Sequence, residues 1–272
     1  MRGPTRSGSV VAVLWTSAPD DERFVETVLP GLSPEEAGRA RRTSVSAARS
    51  EFATGAWLLR ATAARLLGVE ESEVVVDRRC ASCEEPHGRP RIAGLPGFDA
   101  SLTHSAGRVG LALAAFASVG LDVESVAGPP DAALVETACT PDEAAALDSS
   151  PADVRGSLFT HLWCRKESLL KAASVGLRVS PSEVDASGVR PVLRRRRSTA
   201  PLSPAEATRL ARVAKSGRWI ALARTPEAFE SALFATGSAC LSAELDEGDV
   251  ETLTRSDDYA ALVEGLGRTL RS

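Results

Sequence analysis

GLDVESV, residues 120–126, places two carboxylates, Asp122 and Glu124, two positions apart, shortly after a Val/Ala/Leu-rich run. In an extended strand, residues i and i+2 project to one side, so the two acids share a face while Leu121 and Val123 can pack on the other. Like charges at that spacing repel. The arrangement calls for a cation between or opposite them, most economically a hard divalent ion bound through oxygen. A solvated strand end carrying two surface acids is the other reading of an isolated D-x-E, and what separates the two has to come from elsewhere in the chain.

HLWCRKESLLKA, residues 161–172, supplies it. On a helix Trp163, Glu167 and Lys171 are spaced i, i+4, i+8 and lie along one stripe, with the ring at its base. By themselves Glu167 and Lys171 would be a surface pair worth roughly a few tenths of a kcal/mol. Beside D-x-E they offer a third carboxylate and a cation for phosphate oxygens. Only three of the 32 basic residues are lysines, Lys166, Lys171 and Lys215, and two of them fall here. Where arginine is the default cation, that pair points to a compact ammonium rather than a planar fork. Trp163 reads as core packing beneath the helix.

Working outward, SVVAVLW (9–15) is expected as an opening strand and residues 35–68 as helical, with Phe52, Leu59, Ala63 and Leu66 near helical spacing and Gly68 closing. ESEVVVD and RVGLALAAF read as strands, and the Gly/Pro/Ser-rich span 80–107 between them as mostly loop. TPDEAAAL (140–147) starts a helix with Thr140 as N-cap and Glu143 three residues on. VRPVLRRR and GRWIALA read as further strands, and the end of the chain as a polar appendage. Sliding the chain by about 110 positions superposes LLRA (58–61) on LLKA (169–172), SEV (72–74) on SEV (182–184), and Gly107-Arg108 on Gly217-Arg218. At that offset Val11 and Val13 fall on Asp122 and Glu124, and Ala56 on Glu167. The expected architecture is α+β, two similar halves at 1–118 and 119–235 followed by an appendage at 236–272, with the acids in one half only.

The net charge of −4 gives no electrostatic case for nucleic acid, and no run of eighteen apolar residues argues for a membrane span. A soluble cytoplasmic protein is expected. Five cysteines in no regular framework speak against a disulfide scaffold. Cys80, Cys83 and His87 have C-x₂-C-x₃-H spacing but no evident fourth ligand, so a metal-free loop is favoured over a zinc site or a small zinc-dependent nucleic-acid module. Arg194 to Arg197 read as a solvated edge.

GLDVE followed about forty residues later by WCRKESLLK resembles the 4'-phosphopantetheinyl transferase superfamily, whose members carry G-[IV]-D-[IV]-E and then W-x-x-K-E-[SA]-x-x-K. Leu121 is the one departure in these two motifs. GRP (88–90) is similar to the family's G-[KR]-P, and SLTHS (101–105) to its N-x-S-H-S, with Ser101 and Thr103 departing. The duplication agrees with the longer, Sfp-like branch, a pseudo-dimer of two α+β halves. The resemblance covers about residues 25–235.

It implies transfer of 4'-phosphopantetheine from coenzyme A to a serine of an apo acyl or peptidyl carrier domain, as in a holo-acyl-carrier-protein synthase, with release of adenosine 3',5'-bisphosphate. Asp122, Glu124 and Glu167 would hold Mg²⁺, or Mn²⁺ in its place, with Glu167 also the candidate base. Lys171 and Lys166 would neutralise phosphate charge. Arg89, Pro90, His104 and Ser105, in or near the loop 80–108, would contact coenzyme A, and Glu143 matches an acid sometimes assigned to the metal. Ser105 is not a nucleophile candidate, since no elbow motif accompanies it. The implied partners are carrier domains of polyketide, peptide or fatty-acid synthases, the two-half length favours secondary metabolism, and a monomer is expected. The alternative is a non-catalytic member that binds coenzyme A or a carrier protein.

Overall fold

The structure, a computed structural model, describes residues 9–80, 83, 85–86, 88–194, 202–223, 225, 228–237 and 239–271. His87 of the Cys/His loop, and Arg195, Arg196 and Arg197 of the arginine run, lie outside the described residues. The chain is mixed α+β and divides into two units, residues 1–117 with 238–272 and residues 118–237.

The first unit opens with β1 (Val10–Ser17), buried from Val11 to Thr16. Helices α1 (Glu22–Val28), α2 (Pro34–Arg42) and α3 (Ser46–Leu67) follow. The stretch expected to be helical over 35–68 is therefore broken: Thr43 and Val45 are extended, as their β-branched side chains favour. Gly68 ends α3 in the left-handed conformation (φ 72°), and its N–H closes on the carbonyl of Ala64. Of ESEVVVD only β2 (Val76–Asp77) is strand, paired with β3 (Arg91–Ile92). β4 (Phe98–Ser105) and β5 (Arg108–Ala115) then form a hairpin whose two-residue turn, Ala106 (φ 46°) and Gly107 (φ 82°), is left-handed throughout and matches the strand twist. β4 lies inside the span expected as loop. Ser101 and Thr103 are buried on it, so small polar side chains had interrupted the apolar signal.

The second unit runs β6 (Val119–Ser125), α4 (Ala132–Ala138), α5 (Pro141–Ser149), α6 (Arg155–Ala173), β7 (Val184–Asp185), β8 (Val192–Leu193), α7 (Pro204–Ser216), β9 (Gly217–Ile220) and β10 (Phe229–Thr236). Its core gathers Leu169, Leu170, Val184, Leu210, Trp219 and Phe234. The chain then returns to the first unit as β11 (Cys240–Asp249), α8 (Val250–Arg255) and α9 (Asp257–Arg271). β11 runs parallel to β1, and Leu253, Tyr259, Leu262, Val263 and Leu266 are buried with Leu58, Leu59 and Ala63 of α3. Tyr259 Oη and Thr62 Oγ1 share a hydrogen bond of 2.9 Å. The stretch expected as a polar appendage is thus a structural part of the first unit. The i, i+3, i+4, i+7 apolar positions of α9 carried that information.

Each unit repeats one topology. β1-β5-β4 and β6-β10-β9 have the same order, with neighbouring strands antiparallel in both. In both, the first strand is followed by helices ending in a long one, a 3₁₀ turn (Glu71–Glu73, Pro181–Glu183), and a two-residue ladder. Gly107-Arg108 and Gly217-Arg218, matched in the sequence, are not equivalent: the first opens β5, whereas the second opens β9, which takes the place of β4. The intervening α7, with no counterpart between β3 and β4, shifts the offset.

The glycine of GLDVE has a packing cause. A Cβ on Gly120 would stand 1.8 Å from the carbonyl oxygen of Ser168 and 2.8 Å from the amide nitrogen of Ala172. Both are backbone atoms of α6, which can retreat only by moving the whole helix. Gly120→Ala is expected to cost about 3 kcal/mol or more, read as a fall of roughly 6–12 °C in the thermal unfolding midpoint.

Candidate active site

β6 and α6 build the site. Because Gly120 faces α6, Asp122 and Glu124 face it as well, two and four residues on. Lys171 reaches back from α6, its Nζ donating to Asp122 Oδ1 at 2.6 Å and to the carbonyl of Leu121 at 3.2 Å. Asp122 is buried, while the Lys171 side chain keeps about 30% of its exposure and stays within reach of solutes. Trp219 Nε1, from β9, donates to Ser168 Oγ and to the carbonyl of Arg165, fixing that turn of α6 on the sheet.

Glu167 stands one turn before Lys171. Burial first, then the negative charges of Asp122 and Glu124, push its carboxyl up to about 7, against the pull of Lys171. Its Oε1 is buried and accepts no hydrogen bond. Three carboxylates that sense one another, one of them with an unused buried oxygen, form a hard-oxygen donor set suited to a divalent cation. Among the described residues, no three His, Cys, Asp or Glu side chains converge closely enough to hold a metal as they stand. The Lys171 ammonium occupies Asp122 Oδ1, so a bound cation would require local adjustment of these side chains. Trp163, expected in the core, is half-buried and stacks on Phe159 at 6.5 Å between centroids.

Lys166 and Glu143 form a buried ion pair. Lys166 is 1% exposed, and its Nζ donates to Glu143 Oε2 (2.6 Å) and to the carbonyls of Ala138 (2.7 Å) and Pro181 (3.1 Å). All three ammonium protons are taken by protein oxygens, leaving none for a phosphate. Glu143 Oε2 also accepts from the Thr140 amide in the capping box of α5, and Oε1 accepts from the Ala186 amide. The pair joins α6 to the C-terminus of α4, the N-terminus of α5 and the 3₁₀ turn before β7. It forms a buried, fully hydrogen-bonded junction between these elements.

Ser157, His161 and Glu230 were not singled out from the sequence. Glu230 on β10 is the cross-strand partner of Glu124, so the two side chains share a face. Ser157 Oγ donates to Glu230 Oε1 (2.5 Å), and His161 Nδ1 lies 3.1 Å from Oε2. The i, i+4 spacing of Ser157 and His161 on α6 was the available signal. Glu230 lies in no recognisable motif, and only strand pairing brings it here.

A family model described as the 4'-phosphopantetheinyl transferase superfamily matches residues 118–223, the span that holds β6 and α6. Over that span the chain is similar to that superfamily. It is 26% identical over 161 residues to a 4'-phosphopantetheinyl transferase of Bacillus subtilis, covering 59% of this chain and 66% of that protein. It is 28% identical over 169 residues to 4'-phosphopantetheinyl transferase HetI of Nostoc sp., covering 60% and 69%.

The remaining residues that resemble superfamily motifs lie in the first unit, outside the span matched by the family model. Arg89 forms a two-pronged ion pair with Asp99, and Pro90 beside it is buried. His104, near the end of β4, is 41% exposed; its Nδ1 lies 2.8 Å from Glu51 Oε2, and Glu51 Oε1 accepts from the Gly107 amide. Ser105 is half-buried beside it. Cys80 is half-buried and Cys83 exposed.

Two outcomes check this geometry. Lys166→Met leaves the Glu143 carboxylate buried without its cation and is expected to cost about 3–5 kcal/mol, with part of the loss recovered on adding Glu143→Gln, read by denaturant unfolding. For Glu167, the folded pKa of about 7 lies above the ordinary 4.5. The folded state therefore binds the proton more tightly, and stability falls as pH rises between those values. In chelator, Glu167→Gln is expected to melt several degrees above the parent at pH 8 and level with it near pH 4.5.

Proposed function

We propose that the protein transfers the 4'-phosphopantetheine arm of coenzyme A to the serine hydroxyl of an apo carrier domain. The observation that carries this reading is the arrangement of Asp122, Glu124, Glu167 and Lys171 on one strand face and one helix stripe, in the superfamily's two motifs. The names of the two relatives support the same activity.

In this reading Asp122, Glu124 and Glu167 hold a divalent cation, Mg²⁺ or Mn²⁺. When bound, it neutralises pyrophosphate oxygens that would otherwise repel an incoming oxygen nucleophile. Glu167 is assigned the proton of the carrier serine, as the carboxylate of the helix motif. The serine oxygen forms a bond to the phosphorus bearing the pantetheine arm. The bond from that phosphorus to the bridging oxygen breaks, and adenosine 3',5'-bisphosphate leaves with the electron pair. Lys171, partly exposed and paired with Asp122, would be the residue to neutralise a phosphate oxygen in a site whose carboxylates held the cation. Little covalent work falls to the protein, and the rate gain comes from positioning and charge.

Arg89, Pro90, His104 and Ser105 remain assigned to coenzyme A on their motif positions, with the exposed ring of His104 best suited to a ligand. Lys166 and Glu143 are assigned to structure. The same reading takes a two-half pseudo-dimeric fold, carrier domains of polyketide, peptide or fatty-acid synthases as partners, and a monomeric cytoplasmic enzyme of secondary metabolism. Among the described residues no helix is long and apolar enough to cross a membrane.

Incubation with apo carrier protein, coenzyme A and Mg²⁺ is expected to add one phosphopantetheine mass to the carrier, read by intact mass spectrometry. Asp122→Ala and Glu167→Ala are each expected to abolish the gain while the protein stays folded. Transfer near the parent rate by either variant would remove the site assignment. Coenzyme A binding without transfer to any of several carriers would replace the enzyme with a binding protein.

A further inference from the structure

The acid site has a fourth carboxylate behind it. Glu230 and Glu124 are directly opposed across the antiparallel pair β6–β10. Opposed side chains in such a pair have Cβ atoms about 5 Å apart, and like charges there repel. A lone cross-strand acid would be a liability in a strand next to α6. Here both of its oxygens are engaged from the helix: Oε1 by Ser157 Oγ and Oε2 by His161 Nδ1. The backbone is tied as well, because the buried Cys164 thiol donates to the carbonyl of Glu230 at 3.3 Å. Ser157, His161 and Cys164 follow one another at i, i+4 and i+7, so one face of α6 clamps a single residue of β10 by both ends.

We propose that Glu230, fixed by Ser157 and His161, is a positioning residue for Glu124. Its carboxylate is held over β10, and its negative charge disfavours conformers of Glu124 that lean toward that strand. Glu124 is thereby biased toward Asp122 and Glu167. The added negative charge also raises the attraction of the whole site for a divalent cation. His161 presents the Nδ1 edge to Glu230 and leaves its other ring nitrogen on a side chain that is 40% exposed. The arrangement places a carboxylate–histidine pair beside the cation site without making either of them a ligand. This inference rests on the reading of Asp122, Glu124 and Glu167 as the cation-holding set.

The test uses the full-length protein, with Mg²⁺ alone as the probe and the Mg²⁺-dependent rise in melting temperature as the readout, alongside the mass assay on the parent. Glu230→Gln is expected to raise the Mg²⁺ concentration at half-response roughly tenfold or more, while its melting temperature in chelator equals or exceeds the parent's because a repulsion has been removed. His161→Ala is expected to raise the half-response concentration in the same direction, and His161→Asn, which keeps a donor near the Nδ1 position, to recover most of it. Half-response concentrations within twofold of the parent for both Glu230→Gln and His161→Ala, in a parent that responds to Mg²⁺ and transfers, would overturn this inference alone. Melting temperatures in chelator that fall for Glu230→Gln, with the Mg²⁺ response intact, would assign the clamp to structure and overturn it too. A parent that shows neither Mg²⁺ response nor transfer would overturn the cation-site reading and this inference with it.

Discussion

The contact between the backbone of α6 and Gly120 governs the second unit. With no side chain at that position, the Ser168 carbonyl and the Ala172 amide come against the strand itself. At that separation Lys171 can span from helix to strand and reach both Asp122 and the Leu121 carbonyl. Glu167 is brought into the field of two other acids by the same approach, and burial there raises its affinity for a proton. A helix standing farther off would leave these groups solvated and electrostatically indifferent to one another.

Around that contact the unit separates its charges into two kinds. Lys166 and Glu143 are buried and saturated, each oxygen and each proton answered by a protein partner. Such a pair is costly to assemble and costlier to break, and it holds loops in register more than it adds net stability. One residue later the pattern inverts. Glu167 carries a buried oxygen that accepts no hydrogen bond, and two charges of its own sign, Asp122 and Glu124, outweigh the pull of Lys171 on it. Adjacent positions on a helix point about 100° apart, so Lys166 faces the junction with α4 and α5 while Glu167 faces the strand acids.

The repeated topology shows how specialised this arrangement is. The first strand of each unit occupies the same place in its sheet, yet β1 is a run of buried apolar residues where β6 carries Asp122 and Glu124. The antiparallel partner of β1 is the fully buried β5, whereas that of β6 is β10, which brings Glu230 opposite Glu124. The same scaffold thus serves as a packed core in one unit and as an acid-bearing face in the other.

Much of this was legible in the chain. The period-two spacing of Asp122 and Glu124, the helical stripe of Glu167 and Lys171, the capping box at Thr140 and Glu143, and the faint repeat all follow from local geometry, which sequence spacing encodes directly. Burial and strand pairing were not. Nothing local distinguishes Lys166 from Lys171, since both are motif lysines on one helix, and only the packing of α4 and α5 against one side of α6 buries the first and leaves the second partly exposed. Glu230 and His161 lie 69 positions apart, and β4 was hidden because its buried residues are small and polar. The sequence by itself determined which side chains could share a strand face or a helix stripe. Only the tertiary structure decided which of them are desolvated, which are already answered by protein partners, and which acid stands across the ladder, because those depend on contacts between residues far apart in the chain.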